Sequence, residues 1–208
     1  VLAFEKLDTI AERAVDGAFA KKFGVLGSCT PSASDKACGR NIVKAFARRA
    51  FRRPPTTEEI AGLEAILTAS EMRREDPALG VRLAVKATLL TPEFLFRTEV
   101  DAPGAKTRPL TAHELATRLS YLLWSSLPDE RLDRAADDGS LAKSDVAERE
   151  IARMLADPKA DGFVEGFANY WLGLPALQSA APDKAKYPTW SEPLRAAIRE
   201  RLEAHAFF

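Results

Sequence analysis

Cysteine, histidine and methionine are scarce here: 208 residues contain two of each. There is no C-x-x-C pair, no C-x-x-C-H haem attachment motif and no H-E-x-x-H helix, so the usual zinc and haem signatures are excluded. No glycine-rich phosphate loop and no G-x-S-x-G elbow occurs either. A surplus of either charge is also missing. Thirty Lys and Arg balance thirty Asp and Glu, which argues against a general nucleic-acid binder, whose affinity rests on excess phosphate-neutralising cations. Long apolar runs are absent: the longest uncharged stretch, residues 166–182, contains Gly, Asn, Gln and two prolines and is too broken to span a bilayer.

The two cysteines, Cys29 and Cys38, bracket a loop rich in Ser, Pro and Ala. The spacing suits a disulfide-closed loop, which places the protein in an oxidising compartment. By the loop-entropy account, such a short ring removes ~3 kcal/mol of chain entropy from the unfolded state. With both thiols paired, His113 and His205 are the main remaining soft ligands. Thr117 stands where His113 would need a partner one turn on, and His205 has Arg201 before it. His113 therefore reads as part of a capping turn with a solvent-facing ring, and no metal or cofactor ligand is expected on this stretch. No catalytic residue is expected either.

Almost everything else reads as helix. Phe4, Leu7, Ala11, Val15 and Phe19 recur at three- and four-residue steps, with Gly24 as a stop. A second helix carries Ile42, Val43, Phe46, Ala50 and Phe51, and Pro54-Pro55 ends it. Thr56 with Glu59, and Thr111 with Glu114, form capping boxes. Asp76-Pro77 and Asp157-Pro158 are cap-then-proline starts, and Ser144 and Ser191 are further cap candidates. Gly162 and Gly166 share one helix face, which predicts close helix–helix approach. Residues 101–109 form the best linker, and 174–190 an irregular proline-containing stretch. The expectation is an all-α fold of about ten helices, with little or no sheet, in two packed modules, 1–104 and 105–208. The chain does not open with Met, and its last residues stop inside a helical pattern, which predicts that it is cut from a longer protein.

Arg48, Arg49, Arg52 and Arg53 are the most distinctive cluster. On a helical wheel they lie opposite Phe46 and Ala50 and could clamp a carboxylate, sulfate or phosphate. The plainer reading, that they pair with acids such as Glu58, Glu59, Glu99 or Asp101 and hold helix junctions together, is preferred, because charge runs on helices are usually locally paired. The carboxylate pairs at Asp129-Glu130, Asp137-Asp138 and Glu148-Glu150 read as first turns and charged faces away from aromatic rings. Trp171 falls in step with Phe163, Val164 and Phe167 and is expected in the core. Trp190, in the irregular stretch, is the candidate exposed aromatic.

Several blocks together resemble a known family. AFARRAFRRP at 45–54, followed after Pro55 by Thr56-Thr57-Glu58-Glu59, and ATLLTPEFLFR at 87–97 are similar to one domain. LATRLSYLLWSSLPD at 115–129, RMLADP at 153–158 and FANYWLG at 167–173 are similar to the domain that follows it. These are the planctomycete-specific domains of unknown function, found in large exported proteins of planctomycetes and myxobacteria beside cytochrome-c-like modules. The resemblance spans roughly 29–208, with Pro55 where the family often has Leu. It implies export to the periplasm or cell surface and a multidomain parent whose missing parts include any haem. The functional expectation is a non-catalytic structural or interaction module whose partners are other domains of the parent or a cytochrome-like module. The competing class is part of a periplasmic or surface enzyme, redox or polysaccharide-processing, completed by missing domains.

Overall fold

Caps and prolines cut the chain where the sequence places them, and the computed structural model describes residues 2–20, 29–97, 99, 107–163, 166–167, 169–171 and 173–205. The chain divides into two compact units, Val1–Arg108 and Pro109–Phe208. Secondary structure among the described residues is helical, and the only strand-like pairing there is an isolated bridge between Ser32 and Asp35. The fold is all-α. Gly24, Val164 and linker residues 101–106 lie outside the described residues.

The first unit contains α1 (Leu2–Ala20), α2 (Lys36–Phe51), α3 (Thr57–Met72), α4 (Pro77–Leu89) and the four-residue α5 (Pro92–Leu95). Asp35 caps α2 by accepting from the Cys38 amide, and the Thr56–Glu59 capping box opens α3. Asp76 caps α4 ahead of Pro77. Cys29 and Cys38 are joined, with a Cα–Cα distance of 6.0 Å. α4 is the central element and touches α1, α2, α3 and α5. Its buried side is Val81, Ala84, Val85 and Thr88, packed with Val15, Ile42, Val43, Ala47, Phe51, Leu63 and Leu67; Leu83 is on the open side. Glycines set the spacing. A Cβ on Gly39 would stand 3.1 Å from Val81, and one on Gly80 would stand 3.1 Å from the Ser70 side chain. Outside that core, Arg82 and Lys86 of α4 pair with Asp8, Glu12 and Asp16 along α1.

The second unit opens with α6 (Ala112–Trp124), started by the Thr111–Glu114 capping box, and α7 (Glu130–Asp137), capped by Asp129. A 3-10 turn over Ser140–Ala142 leads into α8 (Ser144–Leu155). Ser144 is the first helical residue, not the cap: Lys143 occupies that position with no side-chain cap bond, because its ammonium can only donate. Trp124, Leu132, Leu141 and Met154 form the core. After Asp157 the backbone follows a 3-10 turn over Pro158–Ala160, then α9 (Asp161–Phe163), a π turn at 166–167 and α10 (Asn169–Trp171). α11 (Leu174–Ser179) lies in the stretch expected to be irregular, because Pro175 falls in a first turn, where proline is tolerated. α12 (Glu192–His205) completes the unit, with Ser191 Oγ accepting from the Leu194 amide.

Trp171 is a clear departure from expectation: it is 71% exposed. The Phe163, Phe167 and Trp171 rings do stack in helical step, at centroid distances of 5.2 and 6.1 Å. The glycine face of the same segment meets the end of α6, and on the aromatic face Phe163 packs against the core there while Phe167 and Trp171 stay exposed. An added Cβ on Gly162 would stand 2.7 Å from the Trp124 carbonyl oxygen, and one on Gly166 would stand 3.1 Å from Ser125 Oγ.

This contact gives a matched pair of substitutions. Gly162→Ala drives a methyl into backbone and is expected to cost about 1–3 kcal/mol. Gly62→Ala, in the middle of α3 with open space around the added Cβ, should instead stabilise by about 0.5–1 kcal/mol. Urea denaturation of both variants checks the two signs.

Candidate functional site

The arginine block is built at a helix end. α2 stops at Phe51, and Arg52 takes a left-handed conformation with φ 59°, because Pro54 and Pro55 cannot continue the helix. The helical wheel therefore does not extend to Arg52 and Arg53, and the four guanidiniums do not share one face. Arg49 is exposed and Arg48 half-buried. Arg52, only 7% exposed, turns inward and donates to the carbonyls of Glu93 (2.5 Å), Phe94 (3.4 Å) and Phe96 (3.0 Å). Those oxygens belong to the C-terminal end of α5, which a helix leaves unpaired. Arg53 makes a forked pair with Glu59, at 2.9 and 2.7 Å, and lies over the Phe51 ring at 5.7 Å. Glu59 simultaneously accepts from the Thr56 amide at 2.7 Å. One carboxylate thus closes the α3 capping box and holds the end of α2.

A second charged cluster escapes sequence reading. Glu150, 4% exposed, accepts from Arg131 at 2.7 Å and from Arg153 at 2.8 Å. Arg153 also forks onto Asp129 at 2.8 and 3.2 Å. The Arg153 and Lys159 cations flank the Trp124 ring at 5.3 and 4.7 Å, and the indole donates to the Met154 carbonyl at 2.9 Å. Two carboxylates read as plain charged-face groups therefore sit beside a buried aromatic. Burial works to raise the Asp129 carboxyl, but the Leu132 amide and Arg153 outweigh it, and the net direction is down. Asp129 is thus held as an acceptor for the Arg153 cation. The one available signal was the periodicity of α8, which places Glu150 on the same side as Met154.

The remaining candidates are dispersed. Trp190 is half-buried, with the Arg195 guanidinium 5.6 Å over its ring; Arg195 also donates to the Gln178 and Ala180 carbonyls at the end of α11. His113 is not solvent-facing as expected: its ring is half-buried, with Nε2 2.9 Å from Asp137 Oδ1, because α7 returns alongside α6. The His205 side chain is not among those described. Among the described residues no group of three or more His, Cys, Asp or Glu is arranged to hold a metal ion, and no helix is long and apolar enough to cross a membrane.

The Arg53–Glu59 tie has a pH signature. The Arg53 guanidinium holds the Glu59 carboxyl below the ordinary 4.5; burial opposes this and the Thr56 amide assists it. A carboxyl with a lowered folded value stabilises the fold above its unfolded value and loses that contribution as pH falls through the folded value. Glu59→Gln should therefore cost about 1 kcal/mol at neutral pH. The difference from the unaltered protein should shrink as pH falls below 4.5, as read by urea denaturation at neutral and acid pH. A difference that stays constant with pH would assign the loss to shape, not charge.

Comparison with known families matches both units. Residues 38–99 match the family described as PSD5, protein of unknown function (DUF1595), and residues 110–208 match PSD4, protein of unknown function (DUF1592). The gap between the matches contains the boundary between the two compact units. No match was found among curated proteins or among solved structures. The chain therefore carries two consecutive domains of unknown function, DUF1595 followed by DUF1592.

Proposed function

We propose that the two domains are non-catalytic structural or interaction modules of a larger exported protein, and that they position neighbouring modules, a cytochrome-like one among them. The observation that carries the reading is the use of Arg52. The most ligand-like cluster in the sequence spends its most buried guanidinium on three backbone carbonyls of its own chain, and its neighbour Arg53 on Glu59. The disulfide between Cys29 and Cys38 supports the exported setting, because such bonds persist in oxidising compartments.

Arg52→Gly tests the structural role. Glycine adopts the left-handed backbone without cost, so the loss isolates the guanidinium and is expected to be about 3 kcal/mol, since three carbonyls lose a charged donor. Arg49→Ala, at an exposed site, should cost under about 1 kcal/mol. Neither variant should alter retention on a sulfate or phosphate matrix. A stable Arg52→Gly protein that has lost anion retention would overturn the reading and point to an anion site. Haem analysis of the full-length parent tests the cytochrome association, and finding no haem there would remove that part.

A further inference from the structure

A cavity of about 240 Å³ opens in the first unit between the disulfide loop and helices α2, α3 and α4. Pro31, Ala33, Gly39, Leu67, Pro77 and Val81 give it apolar walls. At its inner end is Ser70, 2% exposed, whose hydroxyl makes no hydrogen bond. The Glu75 carboxyl is lowered chiefly by Arg73, at 2.8 Å, and next by this hydroxyl, but the two do not meet in hydrogen-bond geometry. A buried polar group without a partner is costly and uncommon in folded proteins. At the outer end stands Arg74, exposed and with no side-chain partner among the described residues. Its backbone is left-handed, φ 58°, a conformation unfavourable to any residue with a Cβ.

Charge around the cavity is otherwise committed. Glu71 is held by Lys36 at 3.1 Å and by Arg40 at 2.8 Å. Glu75 is held by Arg73, and Asp35 accepts from the Cys38 amide. That leaves one unmatched cation at the mouth, one unmatched hydroxyl at the back and hydrocarbon between them. The volume equals that of about eight waters, below the range of drug-sized pockets.

We propose that this cavity binds a small carboxylate with a short apolar body. The carboxylate pairs with Arg74, the body lies against Leu67 and Val81, and a polar atom near the far end meets Ser70. The site goes beyond the structural role proposed above and shares no residue with the Arg52 junction, so either can fail alone.

The test is titration of the whole chain, disulfide intact, with sodium hexanoate and 6-hydroxyhexanoate at constant ionic strength, followed by NMR of the Gly39, Ser70 and Gly80 amides. Both acids should shift these amides saturably, the hydroxy acid more tightly, whereas hexan-1-ol and hexylamine should bind at least about tenfold more weakly. Arg74→Gly, which relieves the left-handed backbone, should lose about tenfold in carboxylate affinity with an unchanged or raised Tm. Ser70→Ala should erase the advantage of the hydroxy acid and likewise leave Tm unchanged or higher. Absence of saturable shifts, equal binding of hexan-1-ol, shifts confined to other residues, or unchanged carboxylate affinity in Arg74→Gly would each overturn the proposal.

Discussion

A helix leaves its last carbonyls without partners, and in this protein those oxygens are where distant parts of the chain are tied together. The end of α5 is held by Arg52 from the end of α2. The end of α8 is held by the Trp124 indole from the end of α6. The end of α11 is held by Arg195 of α12. In two of the three cases the donor is a guanidinium, which presents several N–H groups in a rigid fork and serves more than one carbonyl. Hydrogen bonds to charged groups contribute about 1.5–3 kcal/mol each. Short helices such as α5, too short to persist alone, depend on such external caps. The all-α architecture is therefore held at its helix ends as well as in its cores.

The balance of charge has the same internal use. α4 pairs with α1 through Arg82 and Lys86, and α2 with α3 through Arg40 and Glu71. Arg53 joins the end of α2 to the start of α3 through Glu59. In the second unit Glu150 and Asp129 share Arg153 beneath a tryptophan. Charges committed in this way contribute orientation more than affinity for outside ions. Arg74, at the mouth of the cavity, is not committed in this way.

Glycine decides which face of the segment after α8 is buried. Gly162 approaches the end of α6 so closely that no side chain fits, and Gly166 lies tightly against Ser125. Phe167 and Trp171 on the same segment are consequently turned away from that contact and remain exposed, stacked on one another. Apolar periodicity is a guide to burial only when the apolar face offers the best packing; here backbone-to-backbone approach prevails.

The sequence by itself determined the all-α class and the starts of α3, α4 and α6. The capping boxes at Thr56 and Thr111, the cap-then-proline device at Asp76 and the proline stop after α2 act within a few residues, so local chemistry fixes them. The Cys29–Cys38 ring, also local, was legible for the same reason. The roles of Arg52, Glu150 and Ser70 were not. Each depends on atoms ten or more residues away: Arg52 on the carbonyls at 93–96, Glu150 on Arg131 and Ser70 on the approach of Gly80. A side chain's partner, and hence whether its charge or hydroxyl is satisfied or left open to a ligand, is set by packing between helices, and only the tertiary structure decided it.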